Sequence, residues 1–435
     1  MNRHIMESIL ALSAFALAGV ACSSGGTTTL GGGSDEHGAG GSSTPIPPGV
    51  FDPTTNPGPG GTPSTASNTT TVTAPTDDAG GNAAIDDRVV NYGEALRTAS
   101  IKLIGVFPLL SDIQALAAAD PADQATMYAA KIDAMLADPR FAATQVEWWR
   151  NTFRTGTYAG DTAAIIPKTT PPSFDTAATF AASVVVADQP YTDILTASTG
   201  TCPTFDTTTN AFTAASCNNN APTSGVLTDP GIQSQYFSHM AMRRARFIQE
   251  IFACSAFPAE FSAAPTAMGS GFYTSPWPFD SITGGASAQI DFQSTSAIIC
   301  ANCHTSINHI APLFSYFDAN GQYQTTIQVQ TPVTPPVTSV LGDWLPAGEQ
   351  TFAWRYGATV TDIPSLGKAM AADPDVQRCA ATRVWNWAFS RGDVVNDVAP
   401  VPTTVTDSYL TTFQTNFSTK SLIRAIFTSQ DFILY

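Results

Sequence analysis

The chain has 435 residues, and its 35 acidic and 19 basic side chains give a formal net charge of −16 and a pI of about 4.5. This balance argues against a nucleic-acid partner, because phosphate binding needs a basic patch or stripe. Charged residues make up only 12% of the chain. Together with abundant Thr, Ala, Gly and Pro, that fraction is more typical of an extracytoplasmic protein than of a cytosolic enzyme.

The N-terminus predicts a signal peptide over residues 1–21. Its apolar run, "ILALSAFALAGVA" at 9–21, is too short to span a bilayer and fits a signal-peptide core. The sequence "GVAC" resembles a lipobox, so we predict lipidation of Cys22; because Gly19 is not leucine-like, an ordinary signal peptidase site is the alternative. Ser23 replaces the acidic residue that retains some lipoproteins at the inner membrane. We therefore expect a periplasmic or cell-surface lipoprotein, with the outer membrane favoured.

Residues 22–85 are rich in Gly, Ser, Thr and Pro and contain almost no apolar clusters. Such a segment cannot bury a core, so we predict a flexible tether. The folded body begins at residue 86 and is predicted to be mainly helical. Four helix starts carry an Asp cap followed by Pro at the first helical position. They are Asp120-Pro121, Asp138-Pro139, Asp229-Pro230 and Asp373-Pro374.

Three stretches of the body show helical periodicity. One apolar face comprises Phe237, Met240, Phe247, Ile248 and Ile251, and another comprises Val376, Cys379, Ala380, Val384 and Trp387, ending at Gly392. The stretch "STKSLIRAIFTSQDF" predicts a closing amphipathic helix.

We also predict core positions for four tryptophans, Trp148, Trp149, Trp385 and Trp387. A small hairpin is expected around "TIQVQ" and a turn at Asp318.

The motif with the clearest chemistry is Cys300-Ala301-Asn302-Cys303-His304, a C-x-x-C-H spacing. Random placement of 7 Cys and 5 His in this chain predicts roughly 0.001 such motifs, so chance is a poor explanation. A zinc site would need two more ligands, and only His309 is near. A plain disulfide is the remaining alternative. We favour covalent attachment of one haem c, which requires export and so agrees with the signal peptide.

In that interpretation Cys300 and Cys303 form the thioethers and His304 is the proximal iron ligand. Pro312 either presents a nearby carbonyl to the other ring nitrogen of His304 or simply ends the helix after the motif. His309 lies too close to His304 in the chain to reach the distal side.

The sequence leaves several candidates for the distal iron ligand. Candidates are Met370, which lies 66 residues after His304, then Met268 and His239 or Met240. Core packing is the alternative for Met370 and Met240. An absent distal ligand is a further possibility.

Four cysteines remain once lipid and haem are assigned, and an even number in an oxidising compartment favours two disulfides. Cys202 and Cys217 flank a polar loop, and a bridge closing it would stabilise by roughly 3 kcal/mol in the chain-entropy treatment. Cys254 would then pair with Cys379. Three pairings are possible in all, so this set is a preference.

Three blocks resemble planctomycete-type cytochrome c proteins. They are "LRTASIKLIGVFPLLSDIQAL" with "YAAKIDAMLADPRFAATQVEWWRNTF", then "GVLTDPGIQSQYFSHMAMRRARFIQEIFAC" with "CANCHTSINHIAPLFSYFDANGQY", and finally residues 362–435 with "RCAATRVWNWAFSRG" and "SQDF". The resemblance implies a helical N-terminal domain (86–200), a cytochrome c-like haem domain (227–361) with long loops, and a helical C-terminal domain. A disulfide-closed loop (201–226) would lie between the first two. In that family a cysteine before the haem motif tends to accompany one in the C-terminal helix, as Cys254 and Cys379 would.

These features predict a membrane-tethered, mono-haem c-type cytochrome that passes single electrons to and from redox partner proteins. Two alternatives are a haem enzyme with an open distal site, such as a peroxidase or oxygenase, and a surface interaction lipoprotein with ancillary haem. No catalytic triad is evident in the sequence, so no catalytic residue is assigned.

Overall fold

The computed structural model describes residues 88–155, 172–238, 241–255, 307, 310–324, 327–329, 337–339, 352–355, 358–394, 397–398 and 400–435. The predicted signal peptide and tether lie outside these residues. The described part is mainly helical, with only small two-stranded sheets, as the sequence predicts. No helix in it is both long and apolar enough to cross a membrane.

Fourteen helices occur within the described ranges. In chain order they are α1 (Tyr92–Ile104), α2 (Leu110–Ala118), α3 (Pro121–Ala137), α4 (Arg140–Phe153), α5 (Thr176–Val186), α6 (Asp193–Thr196), α7 (Pro230–Gln235), α8 (Met242–Phe252), α9 (Ala311–Phe314), α10 (Ile363–Ala372), α11 (Pro374–Ala388), α12 (Thr403–Gln414), α13 (Thr419–Phe427) and α14 (Gln430–Ile433).

Within the described ranges each strand pairs with its neighbour along the chain, and each pair is an antiparallel hairpin. The pairs are β1 (Thr204–Asp206) with β2 (Ala211–Thr213), β3 (Ile327–Val329) with β4 (Val337–Ser339), β5 (Phe352–Trp354) with β6 (Ala358–Val360), and β7 (Asp393–Val394) with β8 (Asp397–Val398). The β3–β4 pair confirms the hairpin expected around "TIQVQ".

Three of the four Asp-Pro signals mark helix starts as predicted. Asp120, Asp229 and Asp373 precede α3, α7 and α11, with Pro in the first turn of each. At the fourth, α4 begins one residue late: Pro139 precedes the helix, and the Asp138 carboxylate accepts a hydrogen bond from the Arg140 main-chain N–H at 2.8 Å. The Asp-Pro signal therefore predicts the starts of these helices to within one residue.

Two helix limits predicted from periodicity are wrong. The face from Phe237 to Ile251 does not form one helix, because the chain leaves helical geometry between α7 and α8, with Ala241 at φ 55°. Phe247, Ile248 and Ile251 are buried on α8 as expected, while Phe237 lies in the connection. Helix α11 ends at Ala388 rather than running to Gly392, and Ser390 takes a left-handed conformation at φ 53°.

The two ends of the folded body meet. The main-chain groups of Val89 and Tyr435 exchange hydrogen bonds at 3.0 and 3.1 Å, and Asn91 donates to the Ile433 carbonyl at 2.9 Å. Helix α13 packs against α3, and the Tyr128 hydroxyl donates to the Phe427 carbonyl at 2.8 Å. Val89–Tyr435 belongs to one compact unit, which holds the described parts of all the predicted domains.

Candidate haem-binding region

Most of the predicted haem residues lie outside the described ranges. This applies to Cys300, Cys303, His304, Met268, His239, Met240 and His309, and also to the lipidation candidate Cys22. Their roles stay predictions. The structure describes the two ends of the region that contains the motif: α8 and Cys254 on its N-terminal side, and residues 310–324 on its C-terminal side.

The segment that follows the motif is buried. All four residues of α9 are buried, as are Ile307 and Ile310, and α9 packs against α8. Pro312 is the second residue of α9 and lies in its first turn, where the missing N–H of proline costs nothing, so it is part of the start of this helix. Its carbonyl accepts from the Ser315 N–H at 3.1 Å. The predicted second-shell role of Pro312 toward His304 is not tested by this contact.

A buried arginine anchors this segment. Arg244 of α8 is only 1% exposed, and its guanidinium donates to main-chain carbonyls at the C-terminal end of α9, in the turn after it and on α7. The Nη1 group donates to Phe314 and Phe317, both at 2.8 Å. The Nε and Nη2 groups donate to Gln233 and Asp318, each at 2.9 Å. One side chain thus holds together α7, α8 and the residues after the motif.

The acceptors of Arg244 are neutral carbonyl oxygens, so its charge is compensated by dipoles rather than by an ion pair. Burial lowers the pKa of the guanidinium to about 9, and the carboxylate of Asp318 opposes that shift. The rings of Phe237 and Phe317 lie 5.1 and 5.9 Å from the guanidinium carbon, within the range of cation–π attraction. Arg244 therefore keeps its charge at neutral pH although it is buried.

The turn after α9 confirms the predicted role of Asp318. Its carboxylate accepts from the main-chain N–H groups of Asn320 and Gln322 at 2.8 and 2.9 Å, which is a hydrogen-bonded turn of its own backbone. Gly321 has φ +72°, and a Cβ at this position would lie 2.1 Å from the carbonyl oxygen of Pro230. The Phe-Asp-x-x-Gly pattern thus reflects a tight turn that packs directly on α7.

The N-terminal side of the motif region is fixed by a second set of contacts. Cys254 and Cys379 form a disulfide with their Cα atoms 5.4 Å apart, which confirms the predicted pairing and joins the end of α8 to α11. Arg383 of α11, also buried, donates to the carbonyls of Ile251 and Glu250 at 2.8 and 3.0 Å. These bonds satisfy carbonyls at the C-terminal end of α8, which have no partner within the helix.

Sequence reasoning did not identify Arg244 and Arg383. A signal exists for both, because each lies at helical spacing from apolar positions of its own helix. Arg244 precedes Phe247 and Ile248 by three and four residues, and Arg383 follows Ala380 and Cys379 by three and four. A cation on an apolar face requires a buried acceptor.

Met370, the distal candidate that is described, is fully buried in α10. This helix packs against α6, α11, β5 and β6, and core packing accounts for the side chain. Its predicted role as an iron ligand is not tested by the structure.

The tryptophans occupy the positions predicted for core residues. Trp148, Trp149 and Trp385 are buried, while Trp387 is half-buried and lies against Trp148 with ring centroids 5.4 Å apart. These two rings line an open cavity of about 220 Å³ that is also lined by Lys102 and Arg391.

The donor set of the motif fits a c-type haem. Two thiols separated by two residues, followed at once by an imidazole, are the groups that covalent attachment and proximal ligation require. The described flank on the C-terminal side, from Ile310 to Phe314, is apolar and buried. Comparison with family models, with curated proteins and with solved structures finds no match to this chain.

Proposed function

We propose that the protein is an exported, lipid-anchored, mono-haem c-type cytochrome that transfers single electrons outside the cytoplasm. The observation that carries the proposal is the Cys300-x-x-Cys303-His304 motif. The resemblance of three sequence blocks to planctomycete-type cytochrome c proteins supports it and implies a cytochrome c-like arrangement for the haem-bearing region. Cys22 would anchor the chain in the membrane, and the tether would hold the folded body away from it.

Cys300, Cys303 and His304 would hold the haem, and the iron porphyrin supplies one-electron redox chemistry. The described residues hold the two ends of the region containing these ligands. The Cys254–Cys379 disulfide fixes one end, and Arg244 fixes the other through the carbonyls of Phe314 and Phe317.

The first experiment is expression of the full chain together with a c-type haem maturation system. We expect one covalent haem per chain by the pyridine haemochrome assay, retained after denaturation, with reversible one-electron reduction. The double variant Cys300→Ser and Cys303→Ser should lose covalent haem, because no thiol is left at the motif. The matched control is Cys202→Ser with Cys217→Ser, which removes two other cysteines, paired in a disulfide, and should leave the haem in place.

Absence of covalent haem in the wild-type chain under conditions that load a known c-type cytochrome contradicts the proposal. Zinc bound in a one-to-one ratio would instead support the metal-site alternative. A loaded chain with a high-spin spectrum that turns over peroxide would replace the carrier by a haem enzyme.

A further inference from the structure

The Cys202–Cys217 disulfide carries a different polar group beside each of its sulfur atoms. It joins the residues flanking the β1–β2 hairpin, with Cα atoms 4.9 Å apart, and both cysteines are half-buried. In the other disulfide Cys254 is half-buried and Cys379 is buried. The Thr201 hydroxyl lies 3.3 Å from the Cys217 Sγ atom. An Asp229 carboxylate oxygen lies 3.8 Å from the Cys202 Sγ atom.

Asp229 presents one oxygen to the sulfur because its other oxygen is already used. Its Oδ1 atom accepts from the Ile232 N–H at 2.8 Å, which caps α7. The residue is fully buried. Burial raises the pKa of the carboxyl to about 7, and main-chain hydrogen bonds from Ile232 and Gly231 oppose that shift. Near neutral pH the carboxyl therefore exists in both protonated and ionised forms.

The charged groups on neighbouring elements do not pair with this carboxyl in the described part of the chain. Asp206 is exposed at the end of β1, Asp193 is on α6, and Asp318 bonds its own turn. Arg244 uses its guanidinium on carbonyls. Helix α5, which packs against α7 and β1, has no charged residue. Desolvation therefore controls the titration of Asp229.

The geometry points to the Cys202–Cys217 disulfide as a thiol–disulfide exchange site in which Asp229 acts as the proton donor to Cys202. The co-reactant is a small thiol or a protein dithiol. Its thiolate attacks the Cys217 Sγ atom and forms a mixed disulfide. The bond between the two protein sulfurs breaks, and Cys202 leaves with the electron pair and takes the proton of the Asp229 carboxyl.

A second thiolate then attacks the sulfur of the co-reactant in the mixed disulfide. The new disulfide is released, and Cys217 leaves as a thiolate that accepts a hydrogen bond from the Thr201 hydroxyl before it is protonated by water. In total, two thiols are oxidised to one disulfide and the protein disulfide is reduced to two thiols. Attack at Cys217 is favoured because its neighbours Ser216 and Asn218 are exposed, whereas the neighbours of Cys202 are buried.

This site borders the turn that follows the haem motif. Asn219, two residues after Cys217, donates from its side chain to the carbonyls of Thr228 and Gly321 at 2.8 and 3.3 Å. The Asn219 carbonyl accepts from the Tyr323 N–H at 2.9 Å. The exchange activity goes beyond the proposed electron transfer and does not depend on haem.

The test is the rate at which dithiothreitol reduces each disulfide in the oxidised full chain, read by acid quench, alkylation and peptide mass spectrometry. The key variant is Asp229→Asn, which keeps the cap acceptor but cannot transfer a proton. At each pH the thiolate fraction of dithiothreitol is the same for both proteins, so it cancels in the ratio of the wild-type rate to the variant rate. We expect a ratio of about 10 or more below pH 6.5, falling toward 1 or less above about pH 8 as Asp229 ionises.

The matched control is Asp206→Asn, which removes an exposed carboxyl from the same hairpin and should give a ratio near 1 at every pH. Asp229→Ser, a second capping residue without an acid, should behave like Asp229→Asn and guards against a folding defect in one variant. A ratio that does not change with pH overturns the role of Asp229. Reduction of Cys202–Cys217 no faster than Cys254–Cys379 overturns the site itself.

Discussion

At the residue scale, the two buried arginines show how this acidic chain compensates charge inside its core. Arg244 and Arg383 both direct their guanidinium groups at main-chain carbonyls, in each case near the end of a helix. Carbonyls at helix C-termini carry partial negative charge and have no partner of their own, so one arginine can satisfy several of them. Their role follows from long-range contacts: Arg244 reaches carbonyls 70 to 74 residues away in sequence.

We expect Arg244→Met to lower the free energy of unfolding by about 3 to 5 kcal/mol, because four main-chain carbonyls lose a hydrogen bond from a charged donor. Methionine keeps the apolar stem and helix propensity, so the loss reports on the guanidinium. The measurement is urea unfolding followed by circular dichroism. Arg243→Met is the control: its side chain is exposed on the same helix and the change should be below about 0.5 kcal/mol. Equal effects of the two substitutions would contradict the anchoring role.

At the element scale, the sequence predicts those helix limits that are set by residues next to each other in the chain. Asp229 and Asp373 mark helix starts, since a side-chain cap and a proline act within four residues. At Asp120 the side chain makes no cap hydrogen bond, and the proline alone marks the start. The break before α8 was not predictable in this way, because Ala241 adopts φ 55° in a stretch with no Gly or Pro. Similarly Ser390, not Gly392, takes the left-handed conformation after α11. In both places tertiary packing overrides the intrinsic preference of the residue.

The turn at residues 318–321 allows the energetic cost of close packing to be measured separately from the cost of a left-handed backbone conformation. Gly321 and Gly200 have similar φ values of +72° and +68°, but only Gly321 has backbone atoms where a Cβ would lie. Gly200→Ala should cost about 1 kcal/mol of unfolding free energy for the strained conformation alone. Gly321→Ala should cost clearly more, about 3 kcal/mol or above, because the Pro230 backbone must move. Equal losses in thermal or urea unfolding would mean that α7 and the turn do not hold each other in place.

At the scale of the whole molecule, both ends of the motif region are held by the same helix. Cys254, just after α8, is bonded to α11, and Arg244 of α8 binds the carbonyls that follow α9. The C-x-x-C-H motif can be recognised in the sequence because its residues lie close together in the chain. The family resemblance predicts the Cys254–Cys379 disulfide. The sequence did not predict that one helix anchors both ends, since this depends on contacts between residues 70 or more positions apart.

The two disulfides should therefore differ in their contribution to stability. The Cys254–Cys379 bond closes a loop with a sequence separation of 125, and the Cys202–Cys217 bond one of 15. Chain entropy gives about 5 and 3 kcal/mol for loops of these sizes. We expect Cys254→Ala with Cys379→Ala to lower the urea midpoint more than Cys202→Ala with Cys217→Ala, each pair being the control for the other. A larger loss from the hairpin pair would show that native contacts near Asp229, rather than closure of the motif region, dominate.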